Sequence, residues 1–373
     1  MSSTSGSAPE VARTLRLAAL LRAREVDRLL VAHLVNLRYL TGFTGTNGLA
    51  LIDARGDRAQ RFLTDFRYDT QSAAQVPVPF ERRIVPRDLF EVAAEELAEA
   101  RGAGRLGFEE GALTVKQHDR LRELLGEEWE LVPCGGLVEG LREVKEPAEL
   151  ARIRAAAELA DEALRGVLEG RLVGRTEREV AIELELRMRR LGARAPSFPS
   201  IVAAGPHSAL PHAEPRAQPI APNTLLIIDW GAEHEGYCSD CTRTYATGEG
   251  LAPEAREVYE VVLAAQLAGL AAVRAGPTGK AVDAVAREVI ERAGHGERFG
   301  HGLGHGVGME VHESPRLSRT VGEQPLRAGN VVTVEPGVYV PGRYGVRIED
   351  LLVVTEDGHE VLNGLPKELT VVS

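Results

Sequence analysis

The stretch Leu225-Leu-Ile-Ile-Asp229 decides the fold prediction, because it is a strand-like apolar run that ends in an acid. A second run, Val331-Val-Thr-Val-Glu335, ends in the same way. Strand interiors disfavour acidic residues, and an ionised carboxylate that is buried without a partner is costly. We therefore expect these acids to be paired with other charges or bound to metal ions.

The first acidic strand is followed by a predicted β-hairpin. If His234 and Glu235 form a two-residue loop, Asp229 lies directly opposite Asp240 and points to the same face of the sheet. Cross-strand partners of this kind have Cβ atoms roughly 4.5–5.5 Å apart. A β-bulge would shift this register by one residue, so the facing pair depends on the turn.

The second acidic strand predicts a similar hairpin. A turn centred on residues 341–343 places Glu335 directly opposite Glu349. Facing like charges destabilise a hairpin, so we expect cations between the carboxylates. Two divalent cations balance four negative charges, and one neutral imidazole can complete the ligand set.

The run Gly300-His-Gly-Leu-Gly-His-Gly-Val-Gly308 is suited to supply that imidazole. Glycine at alternate positions leaves one face of an extended chain bare and directs His305 to the other. Four oxygen ligands and one nitrogen favour manganese first, then cobalt or zinc. By contrast, His207, His234 and His295 are interpreted as solvated loop residues.

The composition narrows the function classes. The chain has 373 residues, and 55 acidic against 44 basic residues give a formal net charge of −11. A field of this sign repels phosphate backbones and anionic lipids, so we expect neither a nucleic-acid partner nor membrane binding. Three cysteines are too few for a disulfide scaffold, and Cys238 and Cys241 are interpreted as buried strand residues rather than a redox or zinc pair. We expect a cytoplasmic protein.

The order of elements predicts an α+β protein with two domains. A disordered tail over residues 1–10 precedes a mixed α/β domain over residues 11–138, and a linker over residues 139–147 follows. In residues 148–373 a helix–helix–hairpin arrangement occurs twice, with the hairpins expected around one antiparallel sheet. The four predicted helices span residues 147–168, 176–191, 253–274 and 278–293.

Several motifs surround the acids. They are Ser197-Phe-Pro-Ser200, Pro211-His-Ala213, Asp229-Trp-Gly-Ala232, Ser239-Asp-Cys-Thr242, His301-Gly-Leu-Gly-His305, Val311-His-Glu313, Thr333-Val-Glu-Pro-Gly337 and Gly345-Val-Arg-Ile-Glu-Asp350. This set resembles the metal-dependent pita-bread peptidases, and within them the proline-specific branch of Xaa-Pro dipeptidase (prolidase) and Xaa-Pro aminopeptidase. The segment Tyr39-Leu-Thr-Gly-Phe-Thr-Gly45 is similar to the creatinase-like domain that precedes the catalytic domain in this branch.

The resemblance implies a role for each matching residue. The implied metal ligands are Asp229, Asp240, His305, Glu335 and Glu349, and Glu335 is also the implied general base. The implied catalytic histidines, which stabilise the intermediate and move protons near the leaving nitrogen, are His212 and His312. The residues implied to lie at the substrate are His301 and Arg347.

These roles predict hydrolysis of the Xaa-Pro bond of dipeptides by a hydroxide that bridges two metal ions. An Xaa-Pro aminopeptidase that acts on longer peptides is the alternative. A metal-free creatinase-type hydrolase and a catalytically silent scaffold on the same fold are expected to lack part of the ligand set. The resemblance also implies a homodimer.

Overall fold

The computed structural model describes residues 9–56, 59–78, 80–98 and 103–373. The chain divides into two compact units, one that ends at Arg142 and one from Glu143 to Ser373. The predicted domain limits stay predictions, and residues 1–8 of the predicted tail lie outside the described residues. Pro9 and Glu10 begin the first helix. Among the helices of the described ranges, none is long and apolar enough to cross a bilayer.

The first unit is built on a six-stranded mixed sheet. Its strands are β1 (Arg28–Val31), β2 (Leu49–Asp53), β3 (Gln60–Thr64), β4 (Phe80–Ile84), β5 (Gly104–Phe108) and β6 (Trp129–Pro133). Its helices are α1 (Pro9–Ala23), α2 (Leu34–Thr41), α3 (Asp69–Gln75), α4 (Leu89–Ala98), α5 (Val115–Leu125) and α6 (Leu137–Arg142). The strand order is β4-β3-β2-β1-β5-β6; β2 pairs antiparallel with β1 and β3, and the other pairs are parallel.

A buried polar network ties α2 to the rest of this unit. The side chain of Asn36 donates from Nδ2 to Glu109 Oε1 and to Glu139 Oε1, each at 2.7 Å. Its Oδ1 accepts from Arg142 Nη1, also at 2.7 Å. A buried amide without partners would be destabilising, so this network accounts for a polar residue inside the apolar segment of α2.

The second unit, in which every residue is described, contains four α-helices and thirteen short strands. The helices are α7 (Pro147–Leu168), α8 (Glu177–Arg190), α9 (Pro253–Ala272) and α10 (Gly279–Arg292). The strands are β7 (Ala195–Pro196), β8 (Ile201–Ala204), β9 (Leu225–Trp230), β10 (Ala232–His234), β11 (Tyr237–Cys238), β12 (Cys241–Ala246), β13 (Gly304–Gly306), β14 (Glu313–Leu317), β15 (Val331–Val334), β16 (Gly337–Val340), β17 (Tyr344–Arg347), β18 (Asp350–Val354) and β19 (His359–Val361). All pairings between these strands are antiparallel.

The predicted helix–helix–hairpin arrangement is present twice. Thr176 caps α8 through a capping box with Glu179, as the sequence predicts. Hydrogen bonding divides the strands into four sheets, β11-β10-β7, β12-β9-β8, β14-β13-β15-β18-β19 and β16-β17. The two central hairpins meet where the backbone N–H of Glu349 donates to the carbonyl of Thr242 at 3.1 Å.

Strand alternation decides which side chains reach the helices. In β9, Leu226, Ile228 and Trp230 belong to the apolar cluster that includes α7 and α8. In β15, Val332 and Val334 belong to the cluster that includes α9 and α10. Asp229 and Glu335 fall at the alternate positions, so both acids lie on the face opposite these helix-packed residues.

The predicted register is wrong for the first hairpin. Asp229 pairs with Thr242, not with Asp240, and the two-residue loop is Glu235-Gly236. Both loop residues have positive φ, 49° at Glu235 and 85° at Gly236, as a type I′ turn requires. The error is two residues, so Asp240 stays on the same face as Asp229.

The second hairpin has the predicted register. Val334 pairs with Asp350, and Gly337 pairs with Arg347. The β15–β18 and β16–β17 pairings have the same register. Glu335 and Glu349 lie between these two pairings, and the shared register places them opposite each other. This hairpin confirms the facing pair that the sequence predicts.

Candidate active site

One cavity of about 580 Å³ in the second unit is lined by all nine residues that the sequence proposes for the site. These are His212, Asp229, Asp240, His301, His305, His312, Glu335, Arg347 and Glu349. They come from strands or loops that are far apart in sequence. The structure therefore brings the predicted set together, and the role of each member stays a prediction.

Three carboxylates crowd around the His305 imidazole. The distance from His305 Nε2 to Glu335 Oε1 is 3.3 Å, and to Asp240 Oδ2 it is 3.6 Å. Asp240, His305 and Glu349 each offer a ligand atom within 4.8 Å of the others, and all three residues are buried. This grouping has the chemistry of a metal site, because carboxylate oxygen and imidazole nitrogen bind divalent ions.

The orientation of the His305 ring is set by its backbone surroundings. Its Nδ1 lies 3.1 Å from the carbonyl of Gly306. A carbonyl can only accept, so Nδ1 carries the proton and Nε2 presents its lone pair to the carboxylates. A Cβ at neighbouring Gly304 would lie 2.0 Å from the carbonyl of Thr333. Glycine is thus required for the close approach of β13 and β15, as the alternating glycines predict.

Two threonines hold the second pair of acids. Thr242 Oγ1 donates to Glu349 Oε2 at 2.6 Å, and Thr333 Oγ1 donates to Glu335 Oε1 at 3.2 Å. Neither threonine was among the site residues predicted from the sequence. A signal was available, since each threonine lies two residues from a proposed ligand and therefore shares its face of the strand.

Asp229 differs from the other acids because it has a cation from the chain itself. Arg347 Nη2 donates to Asp229 Oδ2 at 2.6 Å. The same guanidinium donates to Thr242 Oγ1, Tyr339 Oη and the Pro211 carbonyl, at 3.0, 2.8 and 3.1 Å. The other oxygen of Asp229, Oδ1, is buried and accepts no hydrogen bond in the described chain.

Burial is the main cause of the pKa shifts in the site. It raises the pKa of Asp240 and of Glu349 well above the usual range, and neighbouring carboxylates raise both further. The pKa of Glu335 rises to about 8. Burial of the His305 imidazole lowers its pKa to about 3, so this ring is neutral at pH 7. A cluster of acids beside a neutral imidazole fits bound divalent cations, which would stabilise the ionised carboxylates.

A hydrogen-bonded chain links His301 to Arg347. The ring of His301 donates from Nδ1 to the Gly302 carbonyl at 2.8 Å, so its Nε2 accepts from Tyr339 Oη at 3.0 Å. Tyr339 in turn accepts from Arg347 Nη1. Tyr339 was not predicted from the sequence, because nothing local in a strand marks a tyrosine that bridges two distant residues.

The two predicted catalytic histidines reach the cavity by different routes. The ring of His312 lies edge-on to that of His305, with centroids 4.3 Å apart. The odd spacing of these two residues would separate them on a straight strand, but the β13–β14 register shifts at His305 and Gly306. His212 lies on the loop after β8. Both side chains are exposed at the cavity.

The prediction that His207 is solvated is wrong. His207 is buried, and its Nδ1 lies 2.9 Å from Glu177 Oε2. No local pattern in the sequence indicates this partner, which is 30 residues away. The predictions for Cys238 and Cys241 are confirmed, since both are buried free thiols in strands.

Comparison with known families decides the classification. Residues 151–356 match the model of metallopeptidase family M24. The chain belongs to this family. Residues 13–144 match the creatinase/prolidase N-terminal domain, so the M24 unit is preceded by the domain that the sequence motifs suggest. The predicted fold, a creatinase-like domain followed by a pita-bread domain, is confirmed.

Relatives and solved structures resemble this M24 chain over nearly its whole length. An uncharacterized peptidase of Bacillus subtilis strain 168, YqhT, is 43% identical over 347 residues, which are 93% of this chain and 96% of the relative. The structure of the Xaa-Pro dipeptidase from Bacillus anthracis is 39% identical with a TM-score of 0.92, covering 97% of this chain and 100% of that one. An X-Pro aminopeptidase structure from Thermotoga maritima MSB8 is 35% identical with a TM-score of 0.85, covering 93% and 98%.

Proposed function

We propose that this M24 chain is a metal-dependent dipeptidase that hydrolyses the Xaa-Pro bond of dipeptides. The observation that carries the proposal is the convergence of three buried carboxylates, the partly buried carboxylate of Glu335 and one neutral imidazole in a single cavity. The similar Xaa-Pro dipeptidase from Bacillus anthracis supports the substrate class.

Two divalent cations fit the donor set of this cavity. Their ligands would be Asp229, Asp240, His305, Glu335 and Glu349. Asp229 Oδ1 is buried without a hydrogen bond in the described part of the chain, and such an atom needs a cation or a proton. We propose manganese, with cobalt or zinc as alternatives. When bound, the cations would polarise the scissile carbonyl and make a water molecule nucleophilic near neutral pH.

Glu335 is the proposed general base. Its Oε1 is already engaged by Thr333 and lies close to His305. In the described chain Oε2 has no hydrogen-bond partner, so we assign to it the proton that the attacking water loses. A carboxylate that accepts a proton in the transition state contributes typically 10²–10⁴-fold to the rate.

The exposed histidines of the cavity are the proposed proton carriers for the leaving group. Proline offers its ring nitrogen as the leaving atom, and this nitrogen must gain a proton when the peptide bond breaks. His212 and His312 both line the cavity and are exposed, so either imidazole can reach a bound peptide. His301 and Arg347 are the proposed substrate contacts.

The cavity also contains surface that suits proline. Phe198, Pro199, Ile201, Val311 and Val321 contribute apolar lining. Proline has a fixed φ and no backbone N–H, so a rigid apolar pocket can accept its ring without leaving an unpaired donor.

Arg316 supports a dipeptidase over an aminopeptidase. It lines the cavity, is exposed and has no ion pair within the described residues. In contrast, Arg347 already makes four hydrogen bonds to the protein. A free guanidinium at the cavity can pair with the carboxylate that directly follows the proline of a dipeptide. In a longer peptide that position is an amide, and the pair cannot form.

The test compares three substrates on the manganese-loaded protein. We expect hydrolysis of Ala-Pro, much slower hydrolysis of Ala-Pro-Ala, and none of Ala-Ala above background. A chelator should abolish the activity, and added manganese should restore it. Faster cleavage of the tripeptide would support the aminopeptidase, and full activity in metal-free protein would contradict the proposal.

We also propose that the chain forms a homodimer in the cytoplasm. The resemblance to the proline-specific branch supports the dimer, and the net charge of −11 supports a protein that avoids anionic membrane surfaces. Light scattering after size exclusion and fractionation of the producing cell test these two statements.

A further inference from the structure

The loop between β8 and β9 forms one wall of the catalytic cavity. Its residues Pro211, His212, Ala213, Glu214 and Pro215 all line the cavity. Within the described residues, the His212 imidazole has no hydrogen-bond partner. The position of this ring therefore depends on the backbone of the loop rather than on a neighbouring side chain.

A single carboxylate fastens both ends of this loop. The side chain of Glu177, the first residue of α8, is 1% exposed. Its Oε1 accepts from the backbone N–H of Ala204 at 3.0 Å, and its Oε2 accepts from the backbone N–H of Arg216 at 3.0 Å. His207 Nδ1 lies 2.9 Å from Oε2, and the Arg216 guanidinium reaches both oxygens at 3.0 and 3.1 Å.

The middle of the loop touches the carboxylate cluster through Arg347. Arg347 Nη1 donates to the carbonyl of Pro211, next to His212, while Nη2 donates to Asp229. The backbone N–H of Gly345 donates to Ser208 Oγ at 2.7 Å. These bonds hold the middle of the loop, while the contacts of Glu177 hold its two ends on either side of His212.

We propose that Glu177 is a positioning residue that fixes His212 in the cavity by closing the neck of loop 204–216. The structural half of this statement, that Glu177 orders the loop, is independent of the reaction. The kinetic half rests on the proposed function, in which His212 serves the leaving group.

Backbone contacts allow the fold to survive loss of the Glu177 charge. Arg178 N–H donates to the Arg216 carbonyl, and Glu177 N–H donates to the Gln218 carbonyl. These bonds keep residues 216–218 on the start of α8. The carboxylate adds the link from this side of the neck to Ala204 and His207.

The experiment measures amide hydrogen exchange and kinetics in Glu177→Gln. The matched control is Glu183→Gln, because Glu183 lies on the same helix as Glu177 and pairs with Arg175 and Arg187 but does not contact the loop. We expect exchange over residues 205–215 to become at least about tenfold faster in Glu177→Gln only. We expect kcat for Ala-Pro to fall roughly ten- to a hundredfold, with little change in KM.

A double variant separates positioning from general destabilisation. If Glu177 acts through His212, then Glu177→Gln combined with His212→Asn loses no more activity than His212→Asn alone. Multiplicative losses would overturn the kinetic half. Unchanged exchange over residues 205–215 would overturn the structural half, whatever the activity. Arg216→Met removes only the exposed side-chain partner of Glu177, so amide exchange over residues 205–215 should change less. This variant replaces Glu177→Gln in the exchange experiment if Glu177→Gln does not fold.

Discussion

The two ends of the carboxylate cluster are neutralised in different ways. At one end Asp229 has Arg347, a cation supplied by the chain, at 2.6 Å. At the other end Asp240, Glu335 and Glu349 lie around a neutral imidazole. Threonine hydroxyls donate to Glu335 and Glu349, but a hydroxyl carries no net charge.

This difference shows where the site depends on something outside the chain. A permanent guanidinium partly compensates Asp229, although burial still raises the pKa of this acid. Within the described residues, Asp240, Glu335 and Glu349 make no ion pair with an arginine or lysine, so this end must hold protons or bind cations. The proposed metal chemistry is therefore concentrated where the chain itself supplies only ligands.

The largest expected effect comes from the crowded end. Glu335→Gln removes the proposed proton acceptor and one negative charge, so kcat for Ala-Pro should fall roughly 10²–10⁴-fold. Steady-state kinetics at saturating manganese measures this. The control is Glu360→Gln, which changes an exposed acid paired with Arg154 and should leave kcat unchanged. Retention of more than a tenth of the activity would remove Glu335 from its proposed role.

Substitution of Arg347 tests the end of the carboxylate cluster that contains Asp229. Arg347→Met leaves Asp229 buried and unpaired, so the metal-free protein should lose about 3–5 kcal/mol of unfolding free energy. Added manganese should recover part of this loss, because a divalent cation can take over the neutralisation of Asp229.

Denaturant titration with and without manganese measures both values. Arg343→Met, in the turn of the same hairpin, should change the unfolding free energy by less than about 0.5 kcal/mol because Arg343 is exposed. If manganese raises the unfolding free energy of Arg347→Met no more than that of wild type, a bound cation does not replace Arg347 in neutralising Asp229.

The pH dependence of stability separates metal-free from metal-loaded protein. The ordinary pKa of Glu335 is 4.5, and in the folded protein it is about 8. Between these values the folded protein keeps a proton that the unfolded chain has lost. The stabilisation is therefore full below about pH 4.5 and is lost as the pH rises through about 8, by at most about 1.4 kcal/mol per pH unit for one such group.

Chemical denaturation of chelated protein between pH 5 and 8 should show this decline in unfolding free energy. Glu335→Gln should make the decline less steep, and so should saturating manganese, because bound cations keep the carboxylates ionised. If the unfolding free energy of the metal-free protein rises between pH 5 and 8, the raised pKa of Glu335 in the folded protein is contradicted.

The smallest effect is expected from the second arginine of the cavity. Arg347 makes four hydrogen bonds to the protein, whereas Arg316 makes no ion pair within the described residues and can meet a substrate carboxylate. Arg316→Gln should raise KM for Ala-Pro about tenfold, a typical value for one charge-assisted pair. KM for Ala-Pro-Ala should change little, because its carboxylate lies one residue further on. An equal change for both substrates would show that Arg316 does not select dipeptides.

The sequence predicted which residues meet in the site better than it predicted the strand register of the first hairpin. The apolar strands that end in Asp229 and Glu335 were sufficient to predict two hairpins with acids on a common face, because side-chain alternation in strands leaves little choice. The register of the first hairpin was wrong, since the turn uses Glu235 and Gly236 rather than His234 and Glu235. Glycine at the second turn position was the signal for a type I′ turn.

What the sequence could not supply were contacts between side chains far apart in the chain. Arg347 and Asp229, which form a hydrogen-bonded ion pair, are 118 residues apart in the chain. Glu177 and His207, which also form a hydrogen bond, are 30 residues apart. Such pairs leave no local periodicity. The roles of His212 and His312 were inferred from resemblance alone, since no spacing argument leads to them.

The most direct test of the central claim is a crystal structure of the manganese-loaded protein with anomalous diffraction data at the manganese edge. We expect two anomalous peaks in the cavity, each within bonding distance of part of the proposed ligand set, so that the two ions together use Asp229, Asp240, His305, Glu335 and Glu349. An absence of peaks in the cavity, or peaks only at surface acids, would contradict it.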